Sequence, residues 1–241
     1  MLRSGQGDAV RLVACGALIA LAACAFAEDM KEDPAGPPTD PVIAAECDLT
    51  EYKFETQTFG PPALIVDNVP AGTTFGPIVV PSDGMFIEDV VLVLDCSHTW
   101  LGDLIVRLDY DENTDGAIDA STTVICRPGR TGACGQAGTG VGCGSNLVTG
   151  SIYRFDDTAT GTLPTANCSG NVAGGCYQPT GVGAGPLSVF EGRTKGGRWW
   201  LFVSDNQGGD SGTLTSWTVH LKNTPVSTTH TSWGRVKSIY R

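Results

Sequence analysis

The sequence predicts an all-β protein, a sandwich or barrel of antiparallel sheets, on three observations. Short apolar runs rich in β-branched and aromatic residues alternate with turn residues, in a chain that carries 32 Gly and 14 Pro in 241 residues. Where a run can be read residue by residue it has period two: Leu104, Val106 and Leu108 share one face, Arg107 and Asp109 the other. After the N-terminal segment no stretch shows a sustained helical period. Many short strands at this spacing need two sheets to bury one another.

In order, the expected strands fall at residues 52–59, 63–66, 75–80, 86–94, 104–110, 122–126, 153–155, 187–190, 199–203 and 214–221. The last two carry Trp199, Leu201 and Val203, then Trp217, Val219 and Leu221, on alternate positions. Gly208, Gly209, Asp210, Ser211 and Gly212 between them read as a hairpin connection. Residues 126–176 are rich in Cys and Gly and poor in apolar side chains, and read as a long loop excursion braced by disulfides.

The length suits one domain, residues 47–223, with tails on either side. Arg3 and Arg11 precede an apolar run at residues 12–23, too short to span a bilayer as a mature helix and ordered like an export signal, residues 1–27. Ala25-Phe26-Ala27 has the form of a signal-peptidase site. Leu21-Ala22-Ala23-Cys24 resembles a lipobox, which makes a lipid on Cys24 the expected route to a membrane. Residues 28–46 are a Pro-rich linker and 224–241 a flexible tail. The expected location is outside the cytoplasm, secreted or lipid-anchored to the cell envelope.

A net charge of −11 excludes a nucleic-acid or anionic-membrane surface, which needs clustered Lys and Arg, and suits a protein that holds cations. Seven cysteines follow the signal: Cys47, Cys96, Cys126, Cys134, Cys143, Cys168 and Cys176. In an oxidising compartment they should form disulfides, with at least one thiol left over. Cys168 and Cys176 are the expected local pair, and the remaining connectivity stays open. No C-x-x-C pair points to zinc.

Residues 90–108 hold two apolar runs around a polar corner. Within it His98-Thr99-Trp100-Leu101-Gly102-Asp103-Leu104 is similar to the H-T-x-x-G-D-L element of the P domain, or P/Homo B domain, of subtilisin-like proprotein convertases. Later segments resemble the same family in order: residues 186–192, Gly197-Arg198-Trp199-Trp200-Leu201, Val203-Ser204-Asp205, then Gly209-Asp210-Ser211-Gly212-Thr213-Leu214 and Trp217. The resemblance covers residues 48–222. It implies a jelly-roll β-sandwich, agreeing with the strand reading, and a domain that supports a catalytic subtilisin domain. No subtilisin-type catalytic motif occurs in this chain. The Cys-rich excursion and the acidic loop after Leu108 depart from the family pattern.

Each candidate site has a plainer reading beside it. His98 and Asp103 could suggest a general acid and base, but a tight joint in which they satisfy backbone groups is the favoured reading, as the resemblance implies for His98, Thr99, Gly102 and Asp103. Gly209-Asp210-Ser211-Gly212 looks like the nucleophile segment of a serine protease, yet its flanking motifs are missing and a turn explains it. The glycines at 138–144 look like a phosphate loop without the strand and helix that such a loop needs.

The clearest chemical signal is Asp111-Glu112-Asn113-Thr114-Asp115-Gly116-Ala117-Ile118-Asp119. Oxygen ligands at alternate positions with Gly at the bend are what Ca2+ requires, and Asp111, Asn113, Asp115, Asp119 and the Ala117 carbonyl are the expected ligands. Position twelve is Thr122, where an EF-hand has a bidentate Glu. Asp205 and Asp210 are a second cation candidate. The function expected is a non-catalytic, Ca2+-stabilised binding or accessory module whose partner is a protein such as a secreted protease. The alternative is a Ca2+-dependent carbohydrate-binding jelly roll using Trp100 as a stacking platform; behind it stands a hydrolase using Ser211.

Overall fold

The computed structural model describes residues 47–132, 134, 142–166 and 168–224. The signal, Cys24, the linker, most of the tail and residues 138–141 of the glycine run lie outside them.

Among the described residues ten strands form two five-stranded sheets. They are β1 (Lys53–Ile65), β2 (Val69–Val80), β3 (Phe86–His98), β4 (Leu104–Asp111), β5 (Ala120–Cys126), β6 (Ile152–Phe155), β7 (Gly175–Tyr177), β8 (Thr180–Gly181), β9 (Gly197–Asp205) and β10 (Gly212–Thr224). One sheet runs β1-β10-β3-β6-β7, the other β2-β9-β4-β5-β8. The expected sandwich is present, and pairing is antiparallel except at β5/β8 and β6/β7, which are parallel.

The residues between the sheets are those the period-two pattern assigned inward. Leu104, Val106, Leu108 and Tyr110 of β4 face Trp199, Leu201 and Val203 of β9 and Trp217, Val219 and Leu221 of β10 in one buried cluster. Tyr110 stacks on Trp199 at 4.2 Å between ring centroids, and Phe190 meets Trp199 edge-on at 5.0 Å.

Three expectations need correction. Residues 52–59 and 63–66 are one strand, because β1 keeps pairing with β10 across an irregularity between Thr58 and Ala63, where Pro61 and Pro62 interrupt the ladder. Residues 187–190 form a 3-10 turn, Leu187–Phe190, whose Leu187 and Phe190 side chains are buried. The excursion is not bare loop: besides the expected strand at 153–155, now β6, it supplies β7 and buries Leu147, Tyr153, Phe155, Leu163 and Val172. Its apolar residues are scattered, so periodicity does not reveal them.

Candidate functional site

The polar corner joins the two sheets. β3 ends at His98 in the first sheet, a 3-10 turn spans Leu101–Asp103, and β4 begins in the second. His98 is fully buried; its Nε2 donates to Asp205 Oδ2 at 3.1 Å, and its Nδ1 lies 2.9 Å from the Trp100 carbonyl oxygen. Asp205 ends β9 and also accepts from the Gln207 amide through Oδ1 at 3.0 Å. The His98–Asp205 bond therefore ties one sheet to the other.

Asp103, which the sequence pairs with His98, binds cations instead. Arg130 donates to Asp103 Oδ1 at 2.6 Å, with Arg127 at 3.8 Å. Burial pushes the Asp103 carboxyl up, more strongly than the Arg130 bond draws it down. Both arginines sit in the turn Arg127-Pro128-Gly129-Arg130, which carries no local signal of a buried partner. Thr99 donates to Asp210 Oδ1 at 3.0 Å and accepts the Ser211 amide at 3.1 Å. Asp205 and Asp210, the second cation candidate, are thus both engaged by the corner motif.

Gly102 is required by close approach. A Cβ there would lie 2.3 Å from the Cys143 nitrogen and 2.6 Å from the Gly142 Cα. The Gly102 amide donates to the Cys143 carbonyl at 2.8 Å, and Gly144 lies against the Trp100 ring. The described end of the glycine run is therefore packing against the corner, and Trp100 is half-buried on it rather than standing free as a platform. Ser211 is exposed, and both nitrogens of the His98 ring are engaged by other groups.

Cys168 and Cys176 both form disulfides, but not with one another. The bonds are Cys143–Cys168, Cys47–Cys176 and Cys126–Cys134. Cys176 lies on β7 at a sheet edge, where it receives the start of the domain, while Cys168 is drawn to the segment packed on Gly102. The expected leftover thiol is Cys96, buried on β3 and pushed up to about 12 by desolvation, hence unreactive. Cys47, Asp156 and Cys176 bring ligand atoms within 4.8 Å of one another, but their sulfurs are joined in a disulfide.

The acidic loop lies at the opposite end of β4 and connects it to β5. Asp111 closes β4, and the Asp119 amide donates back to the Tyr110 carbonyl at 2.8 Å. Thr114 and Gly116 take the left-handed backbone region at φ 63° and 93°. Asn113 accepts from the Asp115 amide, Asp115 from the Ala117 amide and Asp119 from the Glu112 amide.

Asp111 differs from the other expected ligands because it is fully buried. Its Oδ2 accepts the Gly116 amide at 3.0 Å across the loop, while its Oδ1 is buried with no hydrogen-bond partner. A carboxyl oxygen withdrawn from water and unsatisfied is unfavourable, and it is the kind of atom a cation completes. The donor set, all oxygens, fits Ca2+ rather than a soft metal. The carboxylates of Asp111, Asp115 and Asp119 do not converge within 4.8 Å, since Asp115 and Asp119 accept from loop amides.

Glu112 binds outward from the loop. It accepts from the Thr194 amide at 2.8 Å and from Arg193 at 3.1 Å. Burial raises its carboxyl, but those bonds outweigh it and hold the group below its usual range. Tyr110, beneath the loop, donates to the Thr194 carbonyl at 2.5 Å, with the Gly196 carbonyl at 3.0 Å, and rests on Gly197, where a Cβ would lie 2.5 Å from its ring. The loop is thereby fastened to the segment leading into β9.

No family model and no curated protein matches the chain. A crystal structure of the Aeromonas sobria serine protease with the chaperone is similar over 70% of this chain and 26% of that one, at 13% identity and a TM-score of 0.37. The same organism's serine protease, in a second crystal structure, is similar over 70% and 26% at 11% identity and a TM-score of 0.34. The Gx strain of infectious bursal disease virus is similar over 71% and 32%, at 13% identity and a TM-score of 0.29. This chain thus spans between 26% and 32% of the length of these structures. None of these likenesses assigns an activity or a partner to it.

Proposed function

We propose that this chain is an exported, non-catalytic binding module that supports a secreted serine protease, with Ca2+ at the acidic loop as its stabiliser. One observation carries the reading: the His98, Thr99 and Asp103 side chains of the corner are each engaged by another side chain of the same domain, Asp205, Asp210 and Arg130, two of them in the interior and Thr99 at the surface. A corner built this way is a joint, and it leaves binding to the surface. The resemblance of that corner and of the later segments to the P/Homo B domain supplies the class of partner. Three disulfides suit an oxidising compartment.

In this reading Asp111 contributes Oδ1 to the ion, with Asn113, Asp115, Asp119 and the Ala117 carbonyl as the remaining oxygens. Bound Ca2+ supplies positive charge that neutralises the loop's carboxylates and satisfies the orphaned oxygen.

Two measurements test the proposal. Mixing the purified chain with a subtilisin-type protease of the same secreted fraction should lengthen the protease's half-life at elevated temperature several-fold. An unchanged half-life would reject the partner class. Adding Ca2+ at ten times its Kd should stabilise the chain by about 1.4 kcal/mol, raising Tm by roughly 3–6 °C. Asp111→Asn should abolish that rise; equal melting curves in Ca2+ and in chelator would reject the metal.

A further inference from the structure

Of the three buried aspartates on β4 and its turn, Asp109 is held by Arg107 at 2.7 Å, while Asp103 and Asp111 are treated differently by neighbouring arginines. Asp103 is sealed by Arg130 at 2.6 Å. Asp111 faces Arg198 at 4.0 Å from Oδ2, beyond hydrogen-bond reach. Arg198 and Asp111 are directly opposed in the β9–β4 ladder, so the backbone fixes the approach of the two side chains. The Arg198 side chain keeps 40% of its exposure, against 0% for Asp111. It therefore offsets the buried charge from the solvent side without occupying the orphaned Oδ1.

We propose that Arg198 is the built-in counter-charge of the acidic loop, stabilising it without metal and setting its Ca2+ affinity by repulsion. The inference rests on the reading of the loop as a Ca2+ site. Four carboxylates bear on the loop: Asp111, Glu112, Asp115 and Asp119. Arg193 is held by Glu112 at 3.1 Å, so it answers that carboxylate rather than Asp111. Arg198 is left to compensate Asp111 when no ion is present. When Ca2+ enters, the guanidinium becomes a like charge a few ångströms from a divalent ion. The exposed side chain can swing toward water, and its loose contact has no hydrogen bond to break.

The physical consequence is a pair of effects with opposite sign. Removing the Arg198 charge exposes the metal-free loop to its own repulsion and lowers stability. The same change removes repulsion toward the ion and tightens binding, by about tenfold for one screened like charge near a surface. A residue with a merely structural role would lower stability in both states and leave affinity unchanged or weaker.

The test compares wild type, Arg198→Gln, Arg198→Met and Arg198→Lys in two measurements: Tm in chelator, and the Kd for Ca2+ by calorimetry on metal-stripped protein. Both neutral variants should melt lower than wild type in chelator and bind Ca2+ about tenfold more tightly, while Arg198→Lys should behave like wild type. If wild type binds Ca2+ and the neutral variants bind it equally or more weakly, the role assigned to Arg198 is overturned and the metal site stands. If wild type shows neither binding heat nor a Tm shift with Ca2+, the metal site itself is wrong and the assignment falls with it.

Discussion

The two ends of β4 handle a buried carboxylate in opposite ways. At the corner, Asp103 is closed on by Arg130 at 2.6 Å, and the neighbouring Asp205 is bonded to His98. At the loop, Asp111 is equally inaccessible but keeps one oxygen without a partner and Arg198 at 4.0 Å. A satisfied network makes a joint, since every group has a fixed reason to stay. An unsatisfied buried charge is a cost that the fold carries where a ligand can relieve it. The difference separates a closed network from one with an open oxygen within one strand.

The glycines of the two regions offer the sharpest way to break this contrast. Gly102→Ala drives a Cβ into backbone of the 142–143 segment and should cost on the order of 4 kcal/mol. Gly116→Ala meets nothing within 4 Å and suffers only from its φ of 93°, so about 1 kcal/mol is expected. Chemical denaturation of both variants measures the two costs. Equal losses would mean that the corner is no more tightly built than the loop.

A smaller effect should come from the disulfide that straps the excursion to the corner. Cys143→Ser with Cys168→Ser opens a bond of sequence separation 25 and should lower stability by about 3 kcal/mol. Because the strap lies at the corner end, the Tm rise produced by Ca2+ should persist in the double variant. Its disappearance would show that the two regions act as one unit.

Acid provides the smallest effect and a control on both regions. His220 on β10 is lowered to about 4, mainly by burial and secondarily by Arg154. As pH falls from its unfolded value near 6.5, the unfolded chain takes up a proton that the folded one refuses, so stability declines until about pH 4 and then levels. The loss should be about 1 kcal/mol once solvent screening is allowed for. His220→Phe, which keeps a ring beside Phe54, should flatten the decline. A decline that survives the substitution would place the acid sensitivity in the carboxylates of the corner or loop.

Strand positions and inward faces were legible in the sequence because period two is a local property: Leu104, Val106, Leu108, Trp199 and Trp217 could be oriented from their neighbours alone. The oxygen-rich spacing of residues 111–119 was legible for the same reason. Partners distant in sequence were not. His98 reads as a partner of Asp103, five residues on, yet its carboxylate is Asp205, 107 residues away. Cys168 reads as a partner of Cys176, yet the fold carries each to a different cysteine. Arg130 and Arg198 gave no local signal, because an arginine in a turn or strand looks the same whether or not a buried aspartate faces it.

By itself the sequence determined a β-sandwich with a polar corner and an acidic loop, since alternation, turn chemistry and ligand spacing are written along the chain. Only the tertiary structure decided which aspartate is sealed and which is left open. That depends on which cation the opposing strand or turn brings within 3 Å, and a ladder register across β4 and β9 is a property of the folded pair rather than of either segment.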